Sequence, residues 1–315
     1  MDARFAVILP VGPATEEIVR ARDLLDSLQA YEAGNFTLVL VDDHAGARDL
    51  DREIAGEADY PRVVTTNPRR GRGSGWGSGA AAGTLAALQT VVGLPDDHDF
   101  VVKLDTDSLV IDAFSERVLE AFQRRREMGI MGAYQFSPAS DRESSSAPAL
   151  EKLLRQWAVW RRTPLGGTAL QVGFLGRYGR IRNVIRRALL NGYRLGEHCS
   201  GGGYAMSMRA VRALETEGLL DDPLLWLKTP LGEDTVLSLC VQAVGFCIQQ
   251  NEAEREVFGV KHLGLLAAPE ELGRRGYAII HSVKDHKEYR EGQTRAYFRQ
   301  MRSVARPGAA SCRLR

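Results

Sequence analysis

The chain has 315 residues, with 41 Lys and Arg against 40 Asp and Glu and 44% hydrophobic residues, enough for one large α/β domain or two modest ones. A formal net charge of +1 excludes a globally basic nucleic-acid or membrane binder, so any such partner has to be argued from a local patch. Cys199, Cys240, Cys247 and Cys312 form no CxxC and no zinc spacing, the start of the chain lacks the basic and long apolar parts of a signal peptide, and no apolar run reaches the roughly 18–20 residues of a membrane span. The expectation is a cytoplasmic protein with reduced thiols, free to sit at the inner face of a membrane.

Phe5 to Val11 is a continuous apolar run of strand length, and Thr15 to Ala30 follows with helical spacing behind Thr15 as its cap. Phe36 to Val41 repeats the strand pattern and ends in Asp42-Asp43; Arg62 to Thr66 is a third, shorter strand. After Asn67 comes a Gly- and Arg-rich stretch to Gly79, which runs into the alanine-rich helix Ala80 to Val92. Phe100 to Leu104 is a fourth strand and stops at Asp105-Thr106-Asp107, with Gly129 to Tyr134 a further one. Apolar strands alternating with helices predict an open, mostly parallel α/β sheet covered on both faces, with ligands outside the carboxyl ends of its strands.

Ser137 to Pro148 reads as a linker. From Lys152 to Arg194 the chain carries Arg155, Arg161, Arg162, Arg177, Arg180, Arg182, Arg186 and Arg187 without one acid. This segment reads as a surface for anionic lipid or a phosphorylated acceptor, as a single-stranded nucleic-acid site working by stacking and charge, or as a solvated face whose arginines pair with acids elsewhere. Arg295, Arg299, Arg302 and Arg306 recur at helical intervals near the C-terminus and favour the anionic surface.

Acids at the end of an apolar strand cannot be unpaired core residues. Asp105 and Asp107 therefore either line a turn or share a hard divalent ion that phosphate oxygens also hold. Asp42-Asp43 ends another strand, so a parallel sheet puts both pairs on one edge. Glu233-Asp234 either caps the helix that follows or supplies a general base.

Leu9-Pro10-Val11, Val41-Asp42-Asp43, the Gly/Arg-rich helix entry after Asn67, Asp105-Thr106-Asp107, Gly201-Gly202-Gly203-Tyr204-Ala205-Met206-Ser207 and Gly232-Glu233-Asp234-Thr235 occur in an order that resembles the large inverting family of GT-A fold glycosyltransferases over roughly residues 5–250. The resemblance implies a GT-A, Rossmann-like open sheet with a helical C-terminal extension. Its parts are a nucleotide-sugar-binding half at 1–135, a basic variable segment at 136–195, an acceptor and catalytic half at 196–285 and a helical tail at 286–315. It implies transfer of one sugar from a nucleoside-diphosphate sugar to an acceptor hydroxyl of a glycan, a lipid-linked molecule or a small molecule, with inversion. Mn or Mg is implied as cofactor, peripheral membrane contact would come through the basic segment, and no nucleic acid is expected.

Carried over by residue, Pro10, Val11, Asp42, Asp43 and Asn67 line the nucleotide site. Arg69, Arg70 and Arg72 add positive potential near phosphate, and Lys103, Asp105 and Lys284 belong to the donor site. Asp107, with Asp105 and His281, holds the metal; His262 competes with His281. Asp234 is the base, and Glu233 is its neighbour or the alternative base. A sugar nucleotidyltransferase is disfavoured because Pro10-Val11-Gly12-Pro13-Ala14 stands where its Gly-rich loop would be, and an oxidoreductase lacks GxGxxG after the first strand. Retaining transfer and a non-catalytic module binding anionic lipid or nucleic acid remain as alternatives.

Overall fold

The computed structural model describes residues 3–32, 34–56, 58–69, 77–137, 146–155, 158–162, 168–172, 176–249 and 257–305. In chain order the elements are β1 (Phe5–Val11), α1 (Thr15–Tyr31), β2 (Phe36–Asp42), α2 (Leu50–Ile54), β3 (Arg62–Thr66), α3 (Ser78–Val92), β4 (Phe100–Leu104) and β5 (Leu109–Val110). Then come α4 (Ser115–Arg124), β6 (Met128–Phe136), α5 (Ala147–Arg155), β7 (Ala158–Arg162), β8 (Thr168–Val172), α6 (Arg177–Leu190), β9 (Glu197–Ser207) and α7 (Met208–Thr216). The chain closes with α8 (Glu233–Ala243), β10 (Cys247–Ile248), β11 (Phe258–Val260), α9 (Pro269–Arg274), β12 (Ile279–His281) and α10 (Glu291–Ala305).

The central sheet has the order β10-β6-β9-β4-β1-β2-β3. β1, β2, β3 and β4 run parallel, as the apolar strand pattern predicted, and β9 runs antiparallel between β4 and β6. Alternation along β1 sends Ala6 and Ile8 into one core and Phe5, Val7, Leu9 and Val11 into the other. α3, α6, α7 and α8 cover the first face, and α1, α2 and α4 cover the second. Burial on both faces is why β1, β2 and β4 are apolar at most positions, while the edge strand β3 is more polar and less buried. Phe5 and Phe100 stack across the β1–β4 pair with ring centroids 5.2 Å apart, and Phe114 meets Phe5 edge-on at 5.3 Å.

A second sheet, β11-β12-β5, stands beside the first. β12 pairs antiparallel with β5, Ile280 opposite Leu109, which brings the end of β12 alongside the chain leaving β4. A β7–β8 hairpin forms the third sheet. Among the described residues no helix is long and apolar enough to cross a membrane.

β9 carries an irregularity that matters for the site. Gly132 of β6 pairs with Tyr204, but Tyr134, two residues on, pairs with Cys199, five residues back. Ser200 to Gly203 thus bulge out of the β6 ladder, while Gly203 remains paired with Leu104 of β4. Glycine tolerates such a bulge and lets other groups approach its backbone.

Two expectations change. Ala14, not Thr15, occupies the N-cap position of α1, with no side-chain cap; Glu16 and Glu17 in the first turn complement the helix dipole instead. The segment read as a linker to Pro148 already turns into α5 at Ala147. Much of the basic segment's described charge is paired within the chain, as the solvated-face reading expects. Arg177 donates to the carbonyls of Leu224, Leu225 and Leu227, Arg180 pairs with Asp222 and Arg187 with Glu217, while Arg182 is buried. Trp157, and the side chains of Trp160, Arg161, Arg162 and Phe174, lie outside the described residues.

The C-terminal arginine stripe turns inward. Arg295 Nη1, Arg299 Nε and Arg302 Nη2 meet the carboxylate of Asp23 on α1 at 2.8, 3.0 and 2.9 Å; Arg306 lies outside the described residues. The helical spacing was read correctly, but a stripe is also what docking onto a single buried acid requires. Burial opposes ionisation of Asp23, and the hydrogen bonds and charges of Arg295 and Arg302 outweigh it, holding the carboxyl below its ordinary range. A depressed carboxyl stabilises the fold above its unfolded pKa of about 3.9, and that contribution fades as pH falls through the folded value. Asp23→Asn should therefore cost about 3 kcal/mol in urea unfolding at pH 7, and the gap from wild type should narrow only below about pH 4.

Candidate active site

The carboxyl edges of β1, β2 and β4 place Val11, Asp42-Asp43 and Asp105-Thr106-Asp107 on one side of the sheet. Asp105 leaves β4 with its N–H on the carbonyl of Gly202 at 3.2 Å, and Ser108 N–H closes a turn on the Asp105 carbonyl at 3.0 Å. The turn reading of this triplet is realised, and the turn brings the two acids to one side. Ligand atoms of Asp105, Asp107 and His281 all lie within 4.8 Å of one another.

His281 arrives from the second sheet. Its Nδ1 is 2.8 Å from the Lys261 carbonyl, and because a carbonyl only accepts, Nδ1 carries the proton. Nε2 then faces Asp107 Oδ1 at 3.3 Å and Asp105 Oδ2 at 3.8 Å. A histidine whose second nitrogen is tied to a backbone carbonyl is the arrangement that orients a metal ligand. Two carboxylates and an imidazole suit Mn or Mg, so the residues present fit the ion that the sequence led us to expect.

The segment after His281 clamps the same acid. Val283 N–H donates to the Asp107 carbonyl at 3.0 Å, Ser282 Oγ donates to Asp107 Oδ2 at 2.5 Å, and Lys284 Nζ stands 3.4 Å from that oxygen. Burial opposes the Asp107 charge, but His281, Lys284 and Ser282 outweigh it and hold the carboxyl well below its usual range. His281 is moved the other way, its burial overcome by Asp107 and Asp105.

Behind this edge lies a buried cation. Lys103, 3% exposed, donates from Nζ to Asp105 Oδ1 at 2.6 Å, to the Gly201 carbonyl at 2.5 Å and to Glu233 Oε2 at 3.2 Å. An ammonium has three protons to give, and all three are used. Burial alone would lower the Lys103 pKa, yet Asp105 and Glu233 raise it, so the side chain stays charged. Glu233 Oε1 accepts from Tyr204 OH and from Thr84 Oγ1 at 3.2 Å. Burial pushes the Glu233 carboxyl above its ordinary value, with Lys103 opposing.

Gly232 is the N-cap residue of α8, and Glu233 and Asp234 are its first residues. Glu233 is 6% exposed and bonded at both oxygens, whereas the side chain of Asp234 is 30% exposed, with Oδ2 3.6 Å from His198 Nε2. Asp234 is thus the more exposed of the two acids, and its Oδ1 accepts from Thr235 N–H at 2.7 Å. Both acids lie in the first turn of α8, where they complement the helix dipole.

The remaining predicted positions are placed as follows. Asp42 Oδ1 accepts from His44 N–H at 2.9 Å and from Arg48 Nε at 2.8 Å, and Arg48 Nη2 also reaches the Val11 carbonyl at 3.1 Å. Pro10 precedes that residue on β1, and Asp43 N–H donates to the same carbonyl at 3.1 Å. Asn67 ties β3 to α3, its Nδ2 donating to the Gly79 carbonyl at 3.1 Å and its Oδ1 accepting from Arg69 N–H at 3.0 Å. Arg69 lies across Gly79, where a Cβ would strike its guanidinium. Arg70 and Arg72 lie outside the described residues. His262 is exposed and does not join the Asp105–Asp107–His281 group.

Arg48, His198, Tyr204, Thr84 and Ser282 were not singled out for these roles by the sequence. His198 and Ser282 sit close to residues that were. Arg48 and Thr84 carried no local signal.

No protein-family model matches the chain, and no curated protein matches it in sequence. Among solved structures it is similar to the galactosyltransferase LgtC in complex with donor and acceptor sugar analogs, at 12% identity over 95% of each chain and a TM-score of 0.47. It is similar to the mannosyltransferase PcManGT from Pyrobaculum calidifontis in complex with GDP-Man and Mn2+, at 15% identity over 99% of this chain and 74% of that one, TM-score 0.42. Its likeness to the bifunctional glycosyltransferase WbbM is 11% identity over 91% of this chain, TM-score 0.46, and the chain spans 47% of that protein. These likenesses are weak, and what the site does rests on its own residues.

The glycine bulge can be tested directly. A Cβ on Gly202 would lie 2.2 Å from His281 Nδ1, whereas one on Gly203 meets nothing closer than 3.5 Å. Gly202→Ala should cost about 1–3 kcal/mol in thermal unfolding and remove the protected His281 Nδ1–H resonance from the NMR spectrum. Gly203→Ala should keep that resonance.

Proposed function

We propose that the chain is a GT-A type glycosyltransferase that moves one sugar from a nucleoside-diphosphate sugar to an acceptor hydroxyl, with inversion at the anomeric carbon. The observation that carries the reading is the convergence of Asp105, Asp107 and His281 where β4 ends, with the first turn of α8, which carries Asp234, tied to Asp105 through Lys103 and Glu233. Those three side chains would hold a divalent ion, whose positive charge, when bound, would offset the charge gathering on the departing diphosphate. Lys284, beside Asp107, adds a cation on the same side and belongs with the phosphates.

In this reading the acceptor oxygen forms a bond to the anomeric carbon as the bond from that carbon to the diphosphate oxygen breaks. The nucleoside diphosphate leaves, and the acceptor proton passes to Asp234. Asp234 suits the task because its side chain is 30% exposed and its Oδ2 faces His198 at 3.6 Å, while Glu233 is buried and bonded to Lys103, Tyr204 and Thr84. Glu233 is therefore assigned to holding Lys103 and Tyr204, and not to the proton. Asp42 and Asp43, with Pro10 and Val11, flank the place for the nucleobase; Arg48 braces Asp42 there.

Calorimetry with a panel of nucleoside diphosphates and nucleotide sugars should detect binding that requires Mn or Mg and disappears with EDTA. Absence of binding and hydrolysis across the panel would overturn the reading. Asp107→Ala should abolish the metal-dependent binding while the protein stays folded by circular dichroism; undiminished turnover would sink the metal assignment. Asp234→Asn should lower kcat by about 10²–10⁴-fold with the donor Kd little changed, and the anomeric configuration of the product, read by proton NMR, should be opposite to that of the donor.

A further inference from the structure

Thr106 stands between the two acids of the metal edge and is almost fully buried. Its hydroxyl donates to Glu17 Oε2 on α1, and its carbonyl lies 3.4 Å from Arg295 Nη2 on α10. These two partners belong to one charged chain. Glu17 Oε1 pairs with Arg20 Nη1 at 3.0 Å, Arg20 pairs through Nε and Nη2 with both oxygens of Glu291 at 2.8 and 2.7 Å, and Glu291 Oε1 accepts from Arg295 Nε at 2.9 Å. Arg295 Nη1 then closes on Asp23 at 2.8 Å. The residue that sets the spacing of Asp105 and Asp107 is thus gripped at its side chain and its backbone by a loop of ion pairs that returns through the C-terminal helix.

We infer that Glu17 and Arg295 are positioning residues for the metal site, acting through Thr106, and that α10 is a working part of that site. The inference rests on the reading of Asp105, Asp107 and His281 as metal ligands. None of the positioning groups reaches the ligand atoms; they hold the peptide that carries them. An interaction that fixes ligand direction without touching the ion is worth roughly 10–100-fold in metal affinity. Helix docking alone explains why Asp23 collects three arginines. It does not explain why Arg295 and Glu17 both end on Thr106.

The test is Mn2+ binding to the full chain, followed by the EPR signal of free aquo-Mn2+, for wild type, Thr106→Val, Glu17→Ala and Arg295→Gln, each confirmed as folded by circular dichroism at the titration temperature. Thr106→Val keeps the residue's shape and removes only the hydroxyl, so it decides the matter even where Arg295→Gln fails to fold. Support is a Kd raised about tenfold in Thr106→Val and Glu17→Ala, with the two effects less than additive in the double variant, because the two residues share the contact between them. Variants that bind Mn2+ as wild type does, with only a lowered Tm, would overturn the inference and leave the metal reading standing. A wild-type chain that binds no Mn2+ would overturn both.

Discussion

A charged lysine sealed from water is unfavourable unless every proton meets an acceptor, and Lys103 meets that condition with groups from three elements: Asp105 after β4, the Gly201 carbonyl in β9 and Glu233 opening α8. Much of the local architecture follows from it. β9 has to bulge so that the Gly201 carbonyl reaches the ammonium, and α8 has to begin where Glu233 can enter the interior. Asp105 is left with one oxygen fixed on Lys103 and the other, Oδ2, turned toward His281. The two carboxylates exceed the one ammonium by a negative charge, which is the sign wanted at a cation-binding edge.

Two sheets cooperate at that edge. The large sheet supplies Asp105 and Asp107, the small one supplies His281, and β5 belongs to the small sheet although it follows Asp107 almost directly. The chain leaving Asp107 is thus paired at once with the strand that ends in His281, which is why residues so distant in sequence converge without a long loop. The main-chain bond from Val283 to Asp107 fixes the approach independently of the side chains.

The strands and their acidic ends were legible in the sequence because burial on both faces writes a mostly apolar run, and an acid without an internal partner stands where that run stops. The helix after Gly232 was legible for the same reason of local chemistry, although Glu233 and Asp234 form its first turn and Gly232 is its cap. What local pattern could not show was partnership. Lys103 stands inside an apolar strand with no sign that its partner is Glu233, because that pairing depends on which helix covers the strand. The arginines of α10 carried the right period and the wrong inference: a basic stripe looks the same whether it meets solvent, lipid or one buried aspartate. Arg48 was invisible, since a loop arginine gains meaning only from the Asp42 carboxylate and the Val11 carbonyl it bridges.

The near balance of acids and bases acquires a physical sense at this point. Acids that serve the site are either paired internally, like Glu233, or gathered at the sheet edge, while many described arginines are engaged with helix ends, carbonyls and Asp23. Net charge near zero here is the sum of many local neutralisations around one site left electrostatically unsettled.

β6 and β9 are neighbours in the sheet, and the chain leaves β6 at Phe136 and re-enters at its ladder partner Glu197. Everything from Ser137 to Gly196 is therefore a single excursion whose two ends are held together, Ser137 N–H on the Gly196 carbonyl at 3.2 Å. Within it α6 sends Ile181, Val184 and Ile185 into the core that it shares with α8. The excursion is therefore anchored twice, at the strand ends that open and close it and at the helix that covers the sheet. Its length is not set by the ladder beneath, because β6 and β9 pair without it.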